Sequence, residues 1–195
     1  MEPTLFDKHL TTDEIQAAMP HVFDSPQDGG KLALIVRRPK VDRREVIEKG
    51  TLDVENGLVG DNWLTRGSSR TDNGRGHPEM QLNLMNIRFA ELIAGSRERV
   101  ALAGDQLFVD LDLSRENLPI GSRLSIGTAV IELTAIPHLG CKKFLERFGL
   151  DAMKFANSDF GRLHNLRGVN AKVIKTGEIS VGDTIAVERI QTRSM

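Results

Sequence analysis

Short apolar segments with a period of two, separated by glycine-bearing turns, constrain this chain more than any other feature. Met80, Leu82 and Leu84 alternate with polar neighbours, as do Val109, Leu111 and Leu113, and again Val169, Ala171 and Val173. Such alternation puts the apolar side chains on one face of a strand. Leu32-Ala33-Leu34-Ile35-Val36 reads as a buried strand, short and partly β-branched. Further strands are expected within 41–54 and at Leu124–Ile126, Val130–Ile136 and around Ile185 and Val187. Asn56-Gly57, Pro119 to Gly121 and Thr176-Gly177-Glu178 supply turns between them.

Helical signals are fewer. Thr11 and Glu14 fit a capping box ahead of Ile15, Ala18 and Met19, and Pro20 is expected to stop that helix. Asn86 can cap a helix carrying Phe89, Leu92 and Ile93, with Gly95 at its end. A short helix is expected from about His138 to Phe148, closed by Gly149. The pattern predicts a mainly β protein with helices (α+β), a closed β-barrel with short helices packed at its ends. Residues 1–30 read as an N-terminal helical appendage, 31–190 as the barrel domain and 191–195 as a tail.

Composition narrows the function. A chain of 195 residues fits one domain. With 26 Lys and Arg against 27 Asp and Glu, it lacks the basic excess of a nucleic-acid binder. Eight Phe, one Trp and no Tyr make poor stacking platforms for single strands. No apolar run approaches the roughly 18 residues of a membrane span, and MEPTLFDKHL is not a secretory signal. One cysteine excludes an internal disulfide, and a cytoplasmic location is expected.

That cysteine, Cys141, lies in Pro137-His138-Leu139-Gly140-Cys141-Lys142-Lys143-Phe144, at a strand–helix junction. The helix dipole and the two lysines favour a reactive thiolate. A small buried hydrophobe is the other reading. His138 and Cys141 form an H-x-x-C pair, but zinc needs three or four ligands and no second ligand cluster is visible; His138 reads as a cap or pocket wall. Asp61, between Gly60 and Asn62, is either a turn-former or a group close to a ligand. Arg37, Arg38, Lys40, Arg43 and Arg44 could grip a phosphate, although Asp42 and Glu45 among them favour a solvated face for most. The polar, glycine-rich segment 65–78, with Arg66, Arg70 and Arg75, is expected to form a mobile flap near the Cys141 pocket. No G-x-G-x-x-G, P-loop or G-x-S-x-G is present.

The order of Gly57-Leu58-Val59-Gly60-Asp61, Leu118-Pro119-Ile120-Gly121, Leu124-Ser125-Ile126-Gly127, Cys141-Lys142-Lys143-Phe144, Arg167-Gly168-Val169 and Gly177-x-Ile179-x-x-Gly182-Asp183 resembles a MOSC domain, the C-terminal domain of molybdenum-cofactor sulfurases. The resemblance covers about residues 31–190 and implies a β-barrel-like fold with one cysteine at a basic pocket. It implies Cys141 as molybdenum ligand or persulfide carrier, and Asp61, Arg167, Lys142, Arg70 and Arg44 as residues that bind molybdenum cofactor. Relatives include the mitochondrial amidoxime-reducing component and bacterial reductases of N-hydroxylated purines. The implied activity is therefore reduction of an N-hydroxylated small molecule, with electrons from a separate donor protein. A persulfide carrier or cofactor-delivery domain is the first rival, and a catalytically inactive interaction module the second. The chain departs from many relatives at Gly104-Asp105-Gln106, where they carry Gly-Glu-Asn.

Overall fold

The computed structural model describes residues 9–68 and 70–190. The expected tail at 191–195 and the first eight residues of the N-terminal segment lie outside them. The chain begins with α1 (Thr12–Phe23), β1 (Gly30–Arg37), β2 (Glu45–Ile47), β3 (Lys49–Asp53), β4 (Gly57–Leu58) and the single turn α2 (Trp63–Arg66). Then come β5 (Leu82–Asn86), α3 (Ile87–Ala94), β6 (Leu107–Asp110), β7 (Arg123–Ile126) and β8 (Ala129–Leu133). The remainder is α4 (Lys142–Asn157), α5 (Asp159–Leu163), β9 (Val169–Lys175), β10 (Gly177–Ser180) and β11 (Thr184–Glu188).

Strands β11, β7, β8, β9, β5, β6 and β1 pair in that order, and β1 pairs back with β11 to close a seven-stranded barrel. This is the expected α+β barrel. All these pairings are antiparallel except β5 with β6. Closure satisfies backbone groups that an open sheet would leave along its edges. The closing seam is short: β1 meets β11 only through Gly30 and Lys31, then turns its later half, Ile35 to Arg37, to β2. β3, β4 and β10 form a separate small sheet.

Burial explains the sequence pattern. Leu124 and Ile126 of β7 face the barrel interior, while Arg123 and Ser125 face solvent. β1 is different because both faces are covered. Leu32 and Ile35 join the interior, whereas Leu34 and Val36 join a second core outside the wall. A register shift between Leu32 and Leu34 allows this change of parity. The second core also takes Met85 and Phe108 from neighbouring strands, and Ile15, Met19, Phe89, Ile93, Phe144 and Phe148 from the helices.

Two expectations are corrected here. Pro20 does not stop the first helix, which continues to Phe23. The proline removes one backbone donor, but Met19 and Val22 on either side of it are buried in the second core. The helix of the N-terminal segment is thus packed into the body. The helix expected from His138 starts only at Lys142, because Cys141 is extended and the Asn157 side chain ties down Gly140 before it. Its Oδ1 accepts the Gly140 N–H at 2.8 Å and its Nδ2 donates to the Gly140 carbonyl at 3.2 Å. Gly149, expected as the cap, adopts φ 91° and ψ 167°, so the helix kinks there and resumes to Asn157.

Met19→Ala should lower stability by about 2–4 kcal/mol, as for other buried large-to-small changes. Urea unfolding measures it. A loss below about 0.5 kcal/mol, typical of a surface position, would show that α1 is peripheral to the core.

Candidate functional site

Two buried arginine–aspartate pairs organise one end of the barrel. Arg38 follows β1 directly and has little solvent contact, with Asp61 wholly enclosed beside it. The pair is a fork: Arg38 Nε donates to Oδ2 at 2.8 Å and Nη2 to Oδ1 at 2.9 Å. Asp61 also accepts the backbone N–H groups of Arg38 and Trp63, each at 2.9 Å. The remaining Arg38 nitrogen, Nη1, reaches the Gly104 carbonyl at 2.8 Å and Asn83 Oδ1 at 3.2 Å. In the second pair, Arg167 Nη1 donates to both oxygens of Asp105, at 3.0 and 2.8 Å, and Nη2 to the Ala103 carbonyl at 3.1 Å. The Arg167 guanidinium lies 4.8 Å from the centre of the Phe144 ring. Arg38 thus holds the middle of the segment 103–105, and Arg167 holds both of its ends.

Between these pairs opens a cavity of about 250 Å³. Cys141, His138 and Phe144 line it, together with Arg38, Arg44, Arg66, Lys143, Arg147 and Arg167. Six cations thus face a space to which no carboxylate contributes a wall. Cys141 is the N-cap of α4, and its thiol is free and exposed. At the periphery, Asp42 accepts from Lys143 at 2.6 Å and from Arg147 at 3.2 Å. Arg44 is held below its ordinary value, first by burial and then by the charges of Arg147 and Arg38. Its Nε is buried without a partner, as is Arg167 Nε.

His138 Nδ1 lies 3.4 Å from Asp105 Oδ1 without a hydrogen bond. Burial, with the nearby charges of Arg167 and then Arg38, holds the imidazole well below its usual 6.5. His138 is neutral near pH 7, so it forms no ion pair with Asp105. Burial pushes the Asp105 carboxyl up, with Arg167 pulling the other way. Among the described residues, no group of three His, Cys, Asp or Glu could hold a metal, so Cys141 would be a single protein donor.

The expected site residues divide as follows. Cys141, Arg44 and Arg167 stand in the cavity wall. Asp61 is not part of that wall and instead anchors Arg38. Lys142 is 89 % exposed and pairs with Glu146 at 3.9 Å, while its neighbour Lys143 reaches the cavity. Arg70 borders an adjoining hollow of about 310 Å³ that shares Arg66, Met80 and Asn83 with the cavity. The 65–78 segment is therefore beside the site; within it Thr71 Oγ1 donates to the Ser68 and Arg75 carbonyls. Sequence reasoning missed Asp105, Arg147 and the burial of Arg38. The available signal for Arg38 was its place two residues beyond the run 32–36, since a strand that ends at the barrel rim delivers the side chains just past it there.

The family model of the MOSC domain matches residues 80–186. The fold is similar to the crystal structure of the YuaD protein from Bacillus subtilis, with a TM-score of 0.59 and 17% identity over 83% of this chain and 97% of that one. It is also similar to YiiM from Escherichia coli, with a TM-score of 0.52 and 19% identity over 82% and 71% of the two chains. YiiM from Geobacillus stearothermophilus gives 0.51 and 13% identity over 87% and 78%. No curated protein matches the chain.

Two outcomes test this geometry. Asp61→Ala leaves Arg38 buried without its carboxylate and should cost about 3–5 kcal/mol in urea unfolding; a change below about 1 kcal/mol would mean that water reaches the guanidinium. His138, depressed in the folded state, makes the unfolded chain bind more protons below pH 6.5. Its contribution to stability is therefore complete above 6.5 and is lost as pH falls through the folded value. Imidazole NMR signals of His138 should stay at their neutral positions from about pH 8 to about pH 6. A midpoint at or above the ordinary value would contradict the assignment.

Proposed function

The chain belongs to the MOSC domain family, and on that premise we propose that it holds molybdenum cofactor at Cys141 and reduces an N-hydroxylated small molecule. The observation that carries this reading is a free, exposed thiol on the wall of a cavity lined by six cations and no carboxylate. MOSC domains are associated with that cofactor.

The residues present fit the group. Its phosphate needs several donors, and guanidinium groups match phosphate geometry. Arg44 Nε and Arg167 Nε are buried donors without an acceptor, which a bound anion can supply. Thiolate sulfur is a soft ligand suited to such a metal. Arg44, Arg66, Lys143 and Arg147 would hold the phosphate, and Cys141 Sγ the metal. Asp61 and Asp105 keep Arg38 and Arg167 in fixed orientations, so their donors are aimed before a ligand arrives. When bound, the cofactor would supply the two-electron redox chemistry.

Reduction of an N-hydroxyl group to the amine consumes two electrons and two protons and releases water. His138, neutral and in the cavity wall, can relay a proton there. The electrons come from a separate donor protein, because a single cysteine cannot build an iron–sulfur cluster.

The test is metal analysis and N-hydroxyl reductase activity of protein made in a host with intact cofactor synthesis. Wild-type protein should carry molybdenum, and Cys141→Ser should lose most of both metal and activity, because a serine hydroxyl is a hard, un-ionised ligand. Undiminished metal with lost activity would favour a persulfide carrier, for which an exposed thiol is also suited. Full metal and full activity in the variant would remove Cys141 from the mechanism.

A further inference from the structure

The roomiest concavity bordering His138 is not the basic one. A cavity of about 410 Å³ lies along the stretch from Leu133 to His138, bordered across from it by Arg115, Leu118, Ile120 and Val169. Its volume is within the range of about 300–1,000 Å³ usual for small-ligand sites. Most of its wall is apolar, and Ile120 is 65% exposed at its edge. The charged residue bordering it is Arg115, apart from the neutral His138. Arg115 is exposed, and its guanidinium makes no hydrogen bond or ion pair among the described residues.

The wall is built rather than incidental. Asn165 adopts φ 47°, unusual for a residue other than glycine, and its side-chain amide donates to the Leu113 carbonyl at 2.8 Å. Gly168 adopts φ 111° three residues later, and its N–H closes the turn onto the Asn165 carbonyl at 2.7 Å. A Cβ at Gly168 would lie 2.1 Å from the Leu84 carbonyl oxygen, so no other residue fits. Backbone held in sparsely populated conformations clusters at ligand sites.

We propose that this cavity is a second binding site, for a small organic carboxylate with an apolar, ring-sized body. Arg115 supplies the counter-charge for the carboxylate. Leu118, Ile120 and Val169 take the body, and His138 forms the wall shared with the Cys141 cavity. The proposal does not rest on the reading of the Cys141 cavity, which is lined by six cations and would select for charge rather than for an apolar body.

The probe is 2-naphthoate, titrated into the full-length protein by calorimetry, with the isosteric neutral 2-naphthamide as control. Naphthoate should bind with a Kd of about 1 mM or tighter, and about tenfold tighter than naphthamide, the increment of one charged hydrogen bond. Arg115→Gln should abolish that tenfold difference while leaving naphthamide affinity unchanged, which also shows that the apolar wall is intact. Ile120→Glu, which puts a negative charge at the edge of the wall, should weaken naphthoate more than naphthamide. Arg147→Gln, in the basic cavity, should leave both unchanged. No saturable binding, equal affinity for the two probes, or a loss caused by Arg147→Gln rather than Arg115→Gln would overturn the proposal.

Discussion

The site depends on two arginines being buried and paired at the same end of the barrel. Removing an arginine and an aspartate from water is costly, and their attraction roughly offsets that cost only when the geometry is good and the remaining donors are used. The Arg38 pair meets both conditions, whereas the Arg167 pair leaves Nε without a partner. Arg38 spends its other donors on the Gly104 carbonyl and Asn83, and Arg167 spends one on the Ala103 carbonyl. What the pairs contribute is orientation. They tie β1's exit, the approach to β6 and the approach to β9 to one three-residue segment, and a cavity between those elements inherits that rigidity.

The electrostatics of that cavity follow from the same arrangement. Asp61 and Asp105 are consumed in holding Arg38 and Arg167, and Asp42 takes Lys143 and Arg147 at the periphery. None of these three carboxylates contributes to the cavity wall. Arg44 and the imidazole of His138 are held below their ordinary values first by burial and then by the positive field of the neighbouring arginines. The thiol of Cys141 sits in this field at the start of a helix, where backbone N–H groups point outward.

The strands were legible because their alternation has only one physical outcome, one face in and one face out. Leu124 and Ile126 show it in its simplest form. β1 was legible as a strand, but not the fact that its two faces serve two separate cores. The Cys141 turn was visible as a strand–helix junction, whereas its true start was not. Asn157 sets it from the far end of the helix by holding Gly140, and no local signal encodes a partner 17 residues away. Pro20 misled for a related reason: local propensity argued for an end, and burial of Val22 carried the helix past it.

By itself, then, the sequence determined the barrel, the lone thiol at a helix start and a supply of cations close to it in the chain. It could not say which cations face the thiol. Adjacent residues on a helix point about 100° apart, and here Lys143 lines the cavity while Lys142 is exposed beside Glu146. Phe144 and Phe148 are buried in the second core, which leaves Lys143 and Arg147 on one flank and Lys142 and Glu146 on the other. Which flank meets the cavity is decided by what the phenylalanines pack against. Likewise, Arg38 meets Asp61, and Arg167 meets Asp105, only when segments far apart in the chain are brought together by the assembled barrel. Pairwise burial of charge is a property of the closed barrel, because only closure removes the water that would otherwise screen each residue separately.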